Sequence, residues 1–297
     1  MIQEILHNGN LTLFLLGLGA LTIGSASDIK TREVPDWVSY GLIISAAAAR
    51  TMAAVQYGSW SILTEGLLGF IVFVLIAYLM FYTGQWGGGD AKLLMGLGMV
   101  IGLKPEISTA LTSDLTGFLV NVLLVGSVYG LLWSIYLALT HWKKFRTEWK
   151  ANIQRYRKWR AAALAAGIAL LAAAAALNDF LMKLFLAMIS IFAVSGYYVF
   201  IFIKAVEKSC MFKKLSPDKL TEGDWIAEDV VVGKKKITGP DDLGISREQI
   251  KELKKLASEG KIDRVLVKEG IPFVPSFLIA YILQFTTGSI LNILHAF

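Results

Sequence analysis

Long uncharged apolar runs alternate with short polar loops along most of this chain. A run of about 18 or more apolar residues reads as a membrane span, because ~20 residues at ~1.5 Å rise cross a ~30 Å hydrocarbon core. The pattern places spans at about 10–27, 37–56, 60–83, 90–103, 116–140, 161–177, 181–203 and 272–295. The fourth is short and the sixth is rich in alanine, so six spans plus an interfacial hairpin is the alternative. Small residues let membrane helices approach closely, which explains the alanine run as tight packing. The expected fold class is an all-α polytopic membrane protein with a small α+β soluble insert.

Four segments follow from the pattern. A membrane core of five spans covers 1–141, and a basic loop with an additional helical hairpin covers 142–203. A polar insert covers 204–270, and a final span covers 271–297. Within the insert, 229–232 and 262–267 read as strands. The stretch 246–258 reads as a helix with Ser246 and Gln249 at capping-box spacing. Lys234-Lys235-Lys236 and Gly239-Pro240-Asp241-Asp242 read as turns. The insert carries no catalytic motif and its charges nearly balance, which suits a solvated cap or docking module inessential to bond cleavage.

Composition agrees with the pattern. Hydrophobic residues make up 55% of the 297 positions, charged residues only 18%, and the mean hydropathy is +0.58. A net charge of +6 would suit a nucleic-acid binder, but much of the excess sits in 143–160, between apolar runs. Basic residues beside spans are normally topology determinants and lipid-phosphate contacts. Cys210 is the only cysteine, which excludes an internal disulfide and a cysteine-rich zinc site. His7, His141 and His295 are far apart in sequence, so no metal and no cofactor is expected. Residues 11–27 end in Gly24-Ser25-Ala26-Ser27, which imitates a signal-peptide cleavage site. A signal peptide has a basic n-region, whereas residues 1–10 hold Glu4 and no Lys or Arg, so a permanent first span is expected.

Lys and Arg counts in short loops set the orientation. Loop 28–36 carries Lys30 and Arg32, loop 84–92 carries Lys92, and loop 141–160 carries eight basic residues from Lys143 to Arg160. These loops alternate with loops that have only Arg50, Lys104 and Lys183 near them. The basic loops and the insert are therefore expected in the cytoplasm, with the protein in the cell membrane.

Two aspartates then fall on one face. Asp28 ends the first span, and Asp90 opens the fourth after Gly87-Gly88-Gly89. Two neighbouring carboxylates cannot both ionise easily and share a proton. The ionised one takes a proton from an attacking water, and the protonated one donates to the developing oxyanion and then to the leaving amine. The roles belong to the pair. Three glycines permit positive φ and bring the backbone within reach of an extended substrate. A helix N-terminus at Asp90 would favour its anion. Taken singly, Asp28 reads as an interfacial charge and Asp90 as an N-cap after a turn; only the pair on one face carries the catalytic reading. Glu33 and Asp36 read as loop charges and are candidate contacts for a basic substrate segment. Pro35 and Trp37 fit a helix start and an interfacial anchor.

Together, Asp28 with its basic stretch, Val34-Pro35-Asp36-Trp37, and Gly87-Gly88-Gly89-Asp90-Ala91-Lys92-Leu93-Leu94 with Gly96 and Gly98 resemble the type IV prepilin peptidases. These are membrane aspartyl peptidases with a GxGD motif, and the resemblance implies that Asp28 and Asp90 are the catalytic pair. It covers roughly residues 10–103. Bifunctional bacterial members carry an N-terminal insert with paired cysteines and also methylate the new N-terminus; this chain has neither, so no methyltransferase activity is expected. A polar insert before a last span beginning Ile271-Pro272-Phe273-Val274-Pro275 is similar to archaeal prepilin and preflagellin peptidases. The implied partners are prepilin- or preflagellin-like substrates and membrane lipids. Presenilin-like peptidases also use GxGD, but their C-terminal Pro-Ala-Leu motif is absent here. A transporter or channel is the competing class, and it calls for acids deep within spans.

Overall fold

The computed structural model describes residues 10–106, 113–233 and 235–290. His7, Lys234, His295 and the end of the expected last span lie outside the described residues. In chain order the helices begin with α1 (Asn10–Thr31), α2 (Asp36–Tyr57), α3 (Ser61–Tyr82), α4 (Gly88–Ile101) and α5 (Asp114–Thr140). Then come α6 (Trp142–Arg155), α7 (Arg157–Ala176) and α8 (Phe180–Val206). Strands β1 (Phe212–Leu215), β2 (Trp225–Ile226), β3 (Val230–Val232) and β4 (Lys235–Thr238) precede α9 (Arg247–Ser258), β5 (Val265–Lys268) and α10 (Val274–Thr286).

Six of these, α1, α2, α3, α5, α7 and α8, are long and apolar enough to cross a membrane. Large apolar side chains such as Ile44, Leu75, Val128 and Phe192 point outward, as a lipid solvent allows. The chain is a polytopic helical membrane protein. The expected fourth and last spans are shorter than the others. With 14 residues α4 rises roughly 21 Å, and α10 has 13.

Two compact units make up the chain. One takes in the described residues up to Leu131, Ser216–Val265 and those from Glu269 onward; the other is Leu132–Leu215 with Leu266–Lys268. In the first unit α4 is the central element. Ala91, Leu93, Leu94, Leu97, Met99 and Val100 are all buried, so its apolar surface meets protein on several sides. Glycines bring its neighbours close: a Cβ on Gly98 would strike the Gly69 carbonyl of α3, and one on Gly96 would lie 2.9 Å from Leu42 of α2. An aromatic chain of Phe73, Phe118, Tyr281 and Phe14 fills the space between α3, α5, α10 and α1, with centroids 5.7–6.1 Å apart.

Several polar groups in this core are paired, whereas the buried hydroxyls of Ser25 and Ser39 have no hydrogen-bond partner among the described residues. Asn121 of α5 donates to Gln284 Oε1 and to the Gly288 carbonyl, both at 3.1 Å, and accepts from the Ile290 N–H at 2.9 Å. Gln284 donates to Asp114 at 3.0 Å. Arg50 lies inside α2, within the expected second span, and is only 5% exposed. Its guanidinium donates to the carbonyls of Met99 at 2.7 Å, Ile62 at 2.6 Å and Val100 at 3.1 Å.

The second unit corrects the expected loop 141–160. Residues 142–155 form α6, an amphipathic helix whose buried Phe145 packs 5.6 Å from the Phe202 ring of α8. Helices α7 and α8 pair through Gly167, whose carbonyl accepts the Ser190 hydroxyl at 2.9 Å. Asp179 caps α8 through the Met182 N–H at 2.7 Å. The chain stays helical past 204, through α8 and a π turn at Glu207–Met211, before β1 begins.

In the insert, Ser246 and Gln249 form the expected capping box, with bonds of 2.8 and 3.2 Å. Strands β3 and β4 pair antiparallel, with Val232 opposite Lys235 and Val231 opposite Lys236. Lys235 and Lys236 therefore belong to a strand, where a turn was expected. The turn at Gly239 closes as expected, Asp242 N–H donating to the Gly239 carbonyl at 3.1 Å.

Candidate active site

Helix α1 runs four residues beyond the expected end of the first span, which puts Asp28 in its last turn. Asp28 is 5% exposed, so it is a buried helix-end residue and not an exposed loop charge. The helix stops at Arg32, which takes the left-handed conformation at φ 63° and donates its N–H to the Asp28 carbonyl at 2.9 Å. The Asp28 carboxylate accepts the Val274 N–H at 2.9 Å and lies beside the N–H of Phe273. Val274 is the first residue of α10, so the partial positive charge of a helix N-terminus faces this carboxylate. One turn earlier Gly24 keeps α1 close to its neighbours: a Cβ there would sit 3.3 Å from Leu93 and 3.4 Å from Val274.

Asp90 is the third residue of α4, at the helix start where it was expected. It accepts the Gly87 N–H at 3.3 Å. Asp28 lies within electrostatic reach of Asp90. The glycines before Asp90 work differently from the expectation of positive φ. Gly87 is extended at φ −69°, ψ 161°, and the nearest positive-φ glycine is Gly84. Gly89 is needed for space, since a Cβ would lie 3.1 Å from that of Val34 and 3.2 Å from its backbone nitrogen. Val34 thus reaches both Gly24 and Gly89, and locks the turn after α1 against the start of α4.

The remaining candidates divide. Asp36 is held by Lys92 at 2.6 Å, and the same ammonium lies 5.6 Å from the Tyr40 ring centre. Glu33 is exposed, and its backbone carbonyl accepts the Ser27 hydroxyl at 2.8 Å. Two neighbours of the site have no motif to announce them. Trp86, 6% exposed, forms a wall with Phe273 and Phe277 at 5.9 and 5.2 Å. Tyr129 of α5 lies within electrostatic reach of Asp28 and Arg32. A turn before it, Gly126 gives α5 room beside the Phe273 ring, 2.5 Å from where a Cβ would fall. Among the described residues no group of three His, Cys, Asp or Glu could hold a metal ion.

Residues 15–135, which include both aspartates, match the type IV leader peptidase family. The preflagellin peptidase of Methanococcus voltae is 35% identical over 88 residues, which are 30% of this chain and 37% of that protein. Those of Methanocaldococcus jannaschii and Methanococcus maripaludis are 34% and 31% identical over 88 residues, covering 30% of this chain and 37% and 38% of the relatives. The matched stretch thus spans little more than a third of these relatives. The resemblance drawn from the aspartate and glycine motifs agrees with the family match over residues 15–135.

Proposed function

We propose that this chain is a membrane aspartyl endopeptidase that removes the basic leader of prepilin- or preflagellin-type proteins at the cytoplasmic membrane face. The observation that carries the reading is that Asp28, in the last turn of α1, lies within electrostatic reach of Asp90, in the first turn of α4. A bond-cleaving pair needs one carboxylate to accept a proton from water and the other to donate one. Two carboxylates at close quarters meet that need by sharing a proton. Water attacks the scissile carbonyl carbon as it loses a proton to the ionised aspartate. The protonated aspartate gives its proton to the carbonyl oxygen, and the tetrahedral intermediate collapses as the amine leaves with a proton from the pair. The Val274 N–H steadies Asp28, and the Gly87 N–H steadies Asp90, so neither carboxylate swings freely.

The substrate class rests on the similarity to preflagellin peptidases. An apolar helix would lie in the bilayer beside the spans, and its basic leader would stay in the aqueous phase. Glu33 is the exposed acid nearest Asp28 in sequence and suits a leader contact; Asp36 is already paired with Lys92. With one cysteine in the chain, no N-methylation is expected. A transporter would place acids deep in the spans, whereas Asp28 and Asp90 lie at helix ends.

The test is to mix detergent-purified protein with a substrate that has a basic leader followed by an apolar helix. A shortened product is expected, unchanged by a metal chelator. A substrate lacking the apolar helix should be cut far more slowly. No product from either substrate, or activity lost to chelation and restored by zinc, would overturn the reading.

A further inference from the structure

Helix α6, the π turn and the start of β1 enclose a cleft of about 480 Å³ in the second unit. Lys143, Lys144, Thr147, Glu148, Lys208, Ser209 and Phe212 line it. Lys208 pairs with Glu148 at 2.9 Å. Lys143 and Lys144 are exposed and have no ion-pair partner among the described residues. The hydroxyls are committed, Thr147 donating to the Lys143 carbonyl at 3.1 Å and Ser209 to the Ala205 carbonyl at 2.6 Å. The free donors are therefore ammonium groups, which recognise negative charge with little demand on its geometry.

Two features set the depth at which this cleft lies. Buried Phe145 holds α6 against α8, while Trp142 and Trp159 are 52% and 71% exposed. Exposed tryptophans beside long apolar helices mark the headgroup level of a bilayer. Basic pockets beside membrane helices at that level suit anionic lipid headgroups.

We propose that this cleft binds the headgroup of an anionic phospholipid, with its phosphate between Lys143 and Lys144, beside the ion pair of Lys208 with Glu148. The site lies outside the stretch that matches leader peptidases and is independent of the proposed cleavage reaction. Because charge does the recognising, any singly anionic headgroup would serve and a zwitterionic one would not.

Native mass spectrometry of the full chain, released from mixed micelles of phosphatidylglycerol and phosphatidylcholine, tests this directly. The wild type is expected to retain phosphatidylglycerol in preference. Lys143→Gln with Lys144→Gln should weaken that retention about 30-fold, while Lys143→Arg with Lys144→Arg should keep it. Lys254→Gln with Lys255→Gln on α9 is the control for net charge and should change nothing. Should the double Gln variant not fold, each single Gln variant is expected to lose about fivefold. Equal retention of the two lipids, or unchanged preference in the Gln variants, would overturn the proposal. So would displacement of the lipid by an equimolar amount of inorganic phosphate, which would make this a soluble-anion site.

Discussion

Arg50 offers the sharpest test of how the site is supported, because it works at the far end of the helix that carries Asp90. Its guanidinium reaches the carbonyls of Met99 and Val100, in the last turn of α4, where helical carbonyls have no intrahelical partner. Arg50→Ala leaves both oxygens unpaired in an apolar core. At about 1–3 kcal/mol for each orphaned group the loss is roughly 2–6 kcal/mol. Relief from burying a cation offsets part of this, leaving about 2–4 kcal/mol. Gly66 supplies a second arm. A Cβ there would collide with the Arg50 side chain, whose Cδ is nearest, and lie 3.0 Å from Met99 Sδ. Gly66→Ala is expected to cost about 1–3 kcal/mol alone and clearly less in the Arg50→Ala background, a coupling of about 1 kcal/mol or more. Unfolding in mixed micelles, followed by circular dichroism, measures all four species. The reasoning fails if Arg50→Ala stays within about 0.5 kcal/mol of wild type, or if Gly66→Ala costs the same in both backgrounds.

Further outcomes follow from the same contacts. Gly98→Ala should force α3 and α4 apart at Gly69 and destabilise by about 1–3 kcal/mol, measured by the same unfolding assay. Lys92→Met should cost less than about 1 kcal/mol, because its ion pair with Asp36 is largely solvent-exposed. In the insert, Asp242 is held below the usual carboxylate range, first by the Thr238 hydroxyl, against the opposing effect of burial, and then by the Gly239 N–H and Gln249. A depressed folded-state pKa contributes stability that is present above the ordinary aspartate value and lost as pH falls through the depressed one. Protection of α9 amides from hydrogen exchange should therefore fall below about pH 4 in the wild type and much less in Asp242→Asn.

What the sequence made legible was local, or set by topology. Ser246 and Gln249 announce the start of α9 by spacing alone, and loop charge puts Asp28 and Asp90 on one side. The contacts that support the two aspartates were not legible. The Val274 N–H is a backbone group, identical in chemistry to every other, and only the fold brings it to Asp28. Arg50 looks like a topology charge because nothing in its neighbours tells that three carbonyls from α3 and α4 surround it. The glycines before Asp90 suggested positive φ, but the constraint on Gly89 is the approach of Val34, a residue far from it in the chain. Helix α6 was hidden by its charges: its apolar face consists of a few aromatics, spaced among lysines and arginines that read as a loop.

The central claim is that Asp28 and Asp90 form one catalytic pair, and single-turnover cleavage by folded Asp28→Asn, Asp90→Asn and Asp36→Asn variants tests it most directly. Asp28→Asn and Asp90→Asn should each lose nearly all cleavage of a prepilin-like substrate while keeping wild-type helical content, and the double variant should be no slower than either single one. Asp36→Asn should retain turnover within a few-fold of wild type, since its carboxylate is paired with Lys92. Near-normal turnover in either Asp28→Asn or Asp90→Asn would remove that residue from the mechanism and contradict the account.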